Sequence, residues 1–153
     1  MSWLRLYITV EGQTEKKFAE EILKPHLAVY SIDVKCRVIL TNRKLGVRGG
    51  ILNFNMMRND LFRLMSEDAN TEARFTTMVD FYGLPIEFPG WKEAQTKCLP
   101  KEKVEILEAA LQAELNDTRF LPYIQLHEFE GRAGAVTLGI GLAHKWITQV
   151  FAH

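Results

Sequence analysis

The chain has 153 residues, 47% of them hydrophobic and 25% charged, and its nineteen basic side chains balance nineteen acidic ones. That length suits one globular domain with a sizeable core, and the charge balance excludes a global pull toward nucleic acid or membrane, leaving only local patches to provide one. Cys36 and Cys98, without CxxC spacing or a secretory signal ahead of them, point to the reducing cytoplasm and are expected to be buried thiols.

Leu4, Leu6, Ile8 and Val10 alternate with Arg5, Tyr7 and Thr9, the period of a first strand that runs up against Glu11 and Gly12. From Thr14 to Tyr30 the apolar positions Phe18, Ile22, Leu23 and Leu27 recur at helical spacing. Thr14 is placed to cap that helix, Glu15 sits in its first turn, and Pro25 is expected to kink or divide it. Val34 to Thr41 reads as a second strand, with Lys35 and Arg37 on an exposed face suited to a sheet edge. The glycine-rich, basic loop TNRKLGVRGG follows.

Phe54, Met57, Leu61, Leu64 and Met65 form a helical stripe ending near Ser66. The β-branched and aromatic run Phe75 to Phe81 predicts a third strand that Gly83 and Pro85 end. Ile86 to Pro100 reads as a surface excursion holding one short helical piece. Lys101 to Leu115 predicts a helix with Val104, Leu107, Leu111 and Leu115 inward and Glu102, Glu105, Glu108 and Glu114 outward. RFLPYIQLHEFE predicts a fourth strand, and in the tail Leu142, Trp146, Ile147, Val150 and Phe151 suit an amphipathic helix over 138–151, packed on the sheet or on a second subunit in a homodimer. The tail's charge-free run is far below the ~20 apolar residues that span a bilayer, so no membrane anchor is expected.

Strands alternating with helices predict an α/β domain: a mostly parallel four-stranded sheet, Rossmann-like, with helices on both faces. Ligands of such sheets gather at the carboxyl ends of the strands. Glu11 ends the first strand, Asp80 the third, and Glu128 and Glu130 the fourth, so carboxylates converge on one rim. Crowded carboxylates repel, and one takes up a proton unless a cation compensates. Mg2+ (or Mn2+) suits such a set because it takes one or two carboxylates, keeps waters and accepts phosphate oxygens. Gly12 permits a tight turn after Glu11, and the helix that follows turns its positive end to the same rim. The plain alternative is that these are solvated strand ends.

The combination of VEGQTEKKF, RGG, TTMVDFYGLP, FPGW and RFLPYIQLHEFE resembles the bacterial Toprim-like family catalogued as domain of unknown function 4276, over about residues 4–130. The resemblance implies a Toprim-like fold for residues 1–130, with 131–153 a tail or helix atypical of the family. It implies a metal-dependent nuclease acting on DNA or RNA, an effector in a bacterial defence or stress system with a partner ATPase. Glu11 would be the general acid-base or first metal ligand and Asp80 a metal ligand, with Glu128 and Glu130 supporting them. The Toprim pattern has a second aspartate two residues after the first, and here that position is Tyr82. An inactive Toprim-like module that binds a protein partner or nucleic acid is the alternative.

Arg43, Lys44 and Arg48, with Gly49 and Gly50, are candidates to hold the phosphate backbone, since glycines let N–H groups approach phosphates that the cations neutralise. A solvated loop is the bland reading. Glu15, His127 and Tyr82 are candidate supporting residues, each with an equally ordinary structural role. Phe81, Tyr82, Phe88 and Trp91 could stack unpaired bases or simply close a small core. Zinc-site and Walker-type spacings are absent from the sequence.

Overall fold

A computed structural model describes residues 3–39, 53–126 and 144–148. The elements follow in the order β1 (Leu4–Val10), α1 (Gln13–Phe18), α2 (Lys24–Ala28), β2 (Ile32–Val38), α3 (Phe54–Glu67), β3 (Ala73–Asp80), α4 (Trp91–Gln95), α5 (Pro100–Leu115), β4 (Phe120–Leu121) and β5 (Ile124–Gln125). A further helical turn, α6, spans 144–148.

The strands are all parallel, ordered β2-β1-β3-β4, with β5 continuing β4's position beside the upper end of β3. Moving from β1 to β2 steps one way across the sheet, and returning from β2 to β3 steps the other way past β1. Right-handed crossovers therefore place the two connections on opposite faces. Side chains bear this out. Leu6, Ile8, Val10 and Met78 pack with Phe18, Leu23, Leu27 and Trp146, while Phe75 and Val79 pack with residues of α3, α4 and α5. The parallel α/β sheet with helices on both faces is as the sequence predicts.

The predicted Thr14–Tyr30 helix is divided, as Pro25 requires. Pro25 has no N–H to give a carbonyl one turn back, and the chain widens into a π turn over Ala19–Leu23 before α2 resumes. Thr14 is not the cap: the helix begins after Gly12, and no side chain caps it. Instead Glu15 leans back over the first turn, its Oε2 lying 3.1 Å from where a Cβ on Gly12 would sit.

The second strand begins two residues earlier than its periodicity suggests, at Ile32. Lys35 on it is exposed, but Arg37 is half-buried and reaches α3, its Nη2 3.3 Å from Asp60 Oδ1. The excursion after β3 is less superficial than its prolines imply, because Leu84, Phe88 and Ala94 enter the core. Gly90 makes this possible. It adopts φ +80, and a Cβ there would stand 2.8 Å from Ala110 Cβ, so only glycine lets α4 lie this close to α5.

The predicted fourth strand is broken into β4 and β5 because Pro122 cannot donate to the ladder. The Thr77 hydroxyl patches the gap, donating to Tyr123 O at 2.8 Å and accepting from Tyr123 N at 3.2 Å. Glu108 is not outward: it is part-buried beneath β5, accepts from Ile124 N at 3.0 Å, and lies 3.8 Å from Lys145 Nζ. Burial raises its pKa against the pull of Lys145. Neither cysteine is fully buried. Cys36 is half-buried, its thiol pushed up to about 11 by desolvation, and Cys98 is exposed between α4 and α5.

Of the predicted tail helix, residues 144–148 are helical and the rest lies outside the described residues. Trp146 is 1% exposed and meets Tyr123 edge-on, which ties α6 to the α1 side of the domain. Among the described residues, no helix is long and apolar enough to cross a membrane.

Candidate active site at the carboxyl rim

β1 and β3 are adjacent and parallel, and strand order reverses around them, so the crevice of this sheet opens at the carboxyl ends of these two strands. Each delivers a carboxylate there. Val10 is the last residue of β1, fully buried, and its carbonyl accepts from Ile39 N at 2.7 Å, which holds the strand end down. Glu11 follows immediately and is half-buried. Asp80 N donates to Glu11 Oε2 at 3.4 Å, and Gly83 brings its backbone to the other side of the same group, where a Cβ would be 3.6 Å from Oε1.

Asp80 ends β3 and caps the 3-10 turn Phe81–Gly83, its Oδ1 accepting from Tyr82 N at 3.1 Å. The turn closes with Leu84 N donating to Phe81 O at 3.3 Å. Two hydrogen bonds thus fix how the third-strand carboxylate is presented and how Gly83 lies against Glu11.

The electrostatics follow from this packing. Burial pushes the Glu11 carboxyl up to about 7, the Asp80 N–H opposes the rise, and the negative charges of Glu15 and Asp80 add to it. Among the described residues, no lysine, arginine or histidine forms an ion pair with Glu11, Glu15 or Asp80. Among the described residues, the rim therefore holds negative charge with no paired cation. Also among the described residues, no three His, Cys, Asp or Glu side chains converge tightly enough to cage a metal alone. The donor chemistry fits a hard divalent ion held by the Glu11 and Asp80 carboxylates, with water and substrate oxygens completing the shell. It does not resemble a structural cage.

The structure thus brings together Glu11, Asp80 and Glu15 of the sequence candidates. Arg43, Lys44, Arg48, Gly49, Gly50, His127, Glu128 and Glu130 lie outside the described residues. The basic segment's neighbours are nevertheless placed: Ile39 and Asn53, on either side of it, sit at the end of β2 and the start of α3, which is this same rim. Of the four aromatics, Phe88 is buried edge-on against Phe54, and Phe81 and Trp91 pack against the same core. Tyr82 alone stands out, 67% exposed. Sequence reasoning did not find Gly83 as a neighbour of Glu11, since nothing but the glycine after a strand end marks it.

Over residues 10–131 the chain matches a family described as a domain of unknown function, DUF4276. No curated protein matches it.

Proposed function

Because the chain belongs to the DUF4276 family, whose description assigns no chemistry, we propose from the sequence resemblance together with the rim that it is a Toprim-like, metal-dependent nuclease hydrolysing phosphodiesters of DNA or RNA. The observation that carries this reading is Glu11: a carboxyl pushed up to about 7, held beside Asp80 at the switch point of the sheet, with no cation among the described residues to pair with it. Ordinary strand-end glutamates are solvated and need no such arrangement. A role as effector of a bacterial defence or stress system with a partner ATPase rests on the sequence resemblance alone.

In the metal-free fold, with its carboxyl pushed up to about 7, Glu11 can exchange a proton near neutral pH as a general acid–base, whereas as a metal ligand it would be held ionised. Asp80 is oriented by Tyr82 N and keeps its other oxygen free of hydrogen bonds among the described residues. Magnesium or manganese, held by these two carboxylates, would supply Lewis-acid stabilisation of phosphodiester charge and an acidified water when bound. Arg43, Lys44 and Arg48 would neutralise the flanking phosphates, which positions the strand without reading its sequence.

The test is thermal unfolding of the parent, Glu11→Gln and Asp80→Asn with and without magnesium or manganese, beside a nuclease assay. Metal should raise the midpoint of the parent alone, and cleavage should vanish in both variants. A parent indifferent to both metals, with cleavage unaltered by either substitution, sinks the reading.

One observation favours the inactive, binding module instead: Tyr82 fills the position where the Toprim pattern has its second aspartate, and among the described residues no third metal-binding side chain converges there. Nucleic-acid or protein binding that divalent metal leaves unchanged, in a chain that cuts nothing, identifies that module.

A further inference from the structure

We propose that Tyr82 is a stacking platform for a nucleobase next to the cleaved phosphate, so that the site takes unpaired nucleic acid in preference to continuous duplex; this rests on the hydrolase reading above. Three aromatics of the segment 81–91 turn into the core, and Tyr82 does not. Its surroundings are unusual for an exposed aromatic. The residue two before it is Asp80, whose carboxylate holds the Tyr82 N–H, and the residue after it is Gly83, which lies against the Glu11 carboxylate. The backbone of Tyr82 is thereby held between Asp80 and the glycine that lies against Glu11, which roots the side chain beside the acidic pair.

The ring is also propped. Phe81, anchored on the core, meets it edge-on with centroids 5.0 Å apart and planes at 73°. A single such neighbour can cover at most one face of the phenol, and at 67% exposure the ring keeps a π face available. A base inside a duplex has both faces covered by its neighbours, whereas an unpaired base has a free face to lay on the ring, whatever its identity. A tyrosine with two side-chain torsions, already leaning on Phe81, loses little freedom in accepting it.

Oligonucleotides carrying 2-aminopurine, as single strands and as hairpin duplexes, bound in magnesium to the parent, Tyr82→Ala and Tyr82→Trp, test this by fluorescence quenching, with KM and kcat for cleavage measured separately. The parent should bind and quench the single strand more strongly than the duplex. Tyr82→Ala should raise Kd and KM by about tenfold with kcat little changed, the loss expected of one stacked base, and Tyr82→Trp should restore both. Equal or tighter binding of duplex, or Kd and quenching untouched by Tyr82→Ala, overturns the platform even where cleavage persists. Tyr82-dependent quenching in a parent that cuts neither strand keeps the platform and discards the hydrolase.

Discussion

The two ends of the parallel sheet use the same kinds of side chain to opposite effect. At the amino ends, Asp68 at the close of α3 accepts from Arg5 Nε at 2.7 Å, Arg5 Nη2 at 3.1 Å and the Tyr7 hydroxyl at 2.6 Å. Arg119, before β4, donates to the carbonyls of Met65, Asp68 and Asn70, grips Asp117 through both carboxylate oxygens, and lies over the Phe75 ring. At the carboxyl ends, Glu11, Glu15 and Asp80 face one another without a cation among the described residues. The Arg5 guanidinium and Tyr7 hydroxyl hold the Asp68 carboxyl well below the usual range, and burial pushes Glu11 up to about 7. A rim whose charges are satisfied can only hold the fold together. The rim whose carboxylates have no paired cation among the described residues keeps a proton and coordination sites in play, the condition that the proposed hydrolysis requires.

The sharpest way to break this contrast is to remove the proton-carrying group. Glu11→Gln should lower metal-dependent cleavage by roughly 10²–10⁴-fold, the range of a lost general acid–base, with the fold intact by circular dichroism. Arg119→Ala should do the reverse. It strips donors from three carbonyls and a carboxylate, costing about 3 kcal/mol and lowering the melting midpoint by roughly 6–12 °C, with metal-dependent stabilisation unaffected. If Arg119→Ala instead abolished metal binding at full stability, the division of labour between the rims would be wrong.

The two rims should also tilt the pH profile of stability in opposite directions. The lowered Asp68 and Asp117 carboxyls contribute stability above the ordinary aspartate value of 3.8, and it is lost as the pH falls through their folded values. Glu11, raised from 4.5 to about 7, works the other way: between these values the unfolded chain has released a proton that the fold retains, so stability falls as the pH rises through that window. Metal-free Glu11→Gln should remove this decline and gain up to roughly 3 kcal/mol at pH 8. A metal-free parent that is as stable at pH 8 as at pH 5, with no gain on Glu11→Gln, would mean that the carboxylate already has a cationic partner. The smallest effect belongs to the basic segment. Replacing Arg43, Lys44 and Arg48 together with alanine should weaken nucleic-acid binding at all sequences and reduce the salt slope by about 2 units. An unchanged slope assigns those cations to another role.

Most of this architecture was legible because local periodicity reports it. β1 and the inward face of α5 follow their apolar positions residue for residue. Glu11 and Asp80 were legible as candidates for a similar reason: each is the polar residue at which an apolar strand stops. The errors arose where backbone geometry or a partner on another element decides the outcome. Thr14 has the chemistry of a cap, yet the chain turns into α1 at Gly12. Glu108 has the helical phase of a solvated residue, yet Pro122 breaks the last strand and the backbone of Ile124 claims it.

The sequence by itself determined which segments become strands and helices, and that acidic residues terminate several strands, because both depend on residues only a few positions apart. Tertiary structure alone decided that β1 and β3 lie side by side, and so that residues 69 positions apart share a hydrogen bond at 3.4 Å while the amino ends are locked by Arg5 and Arg119. That choice depends on helices packing over both faces of the sheet, a property of the whole chain that no short window contains.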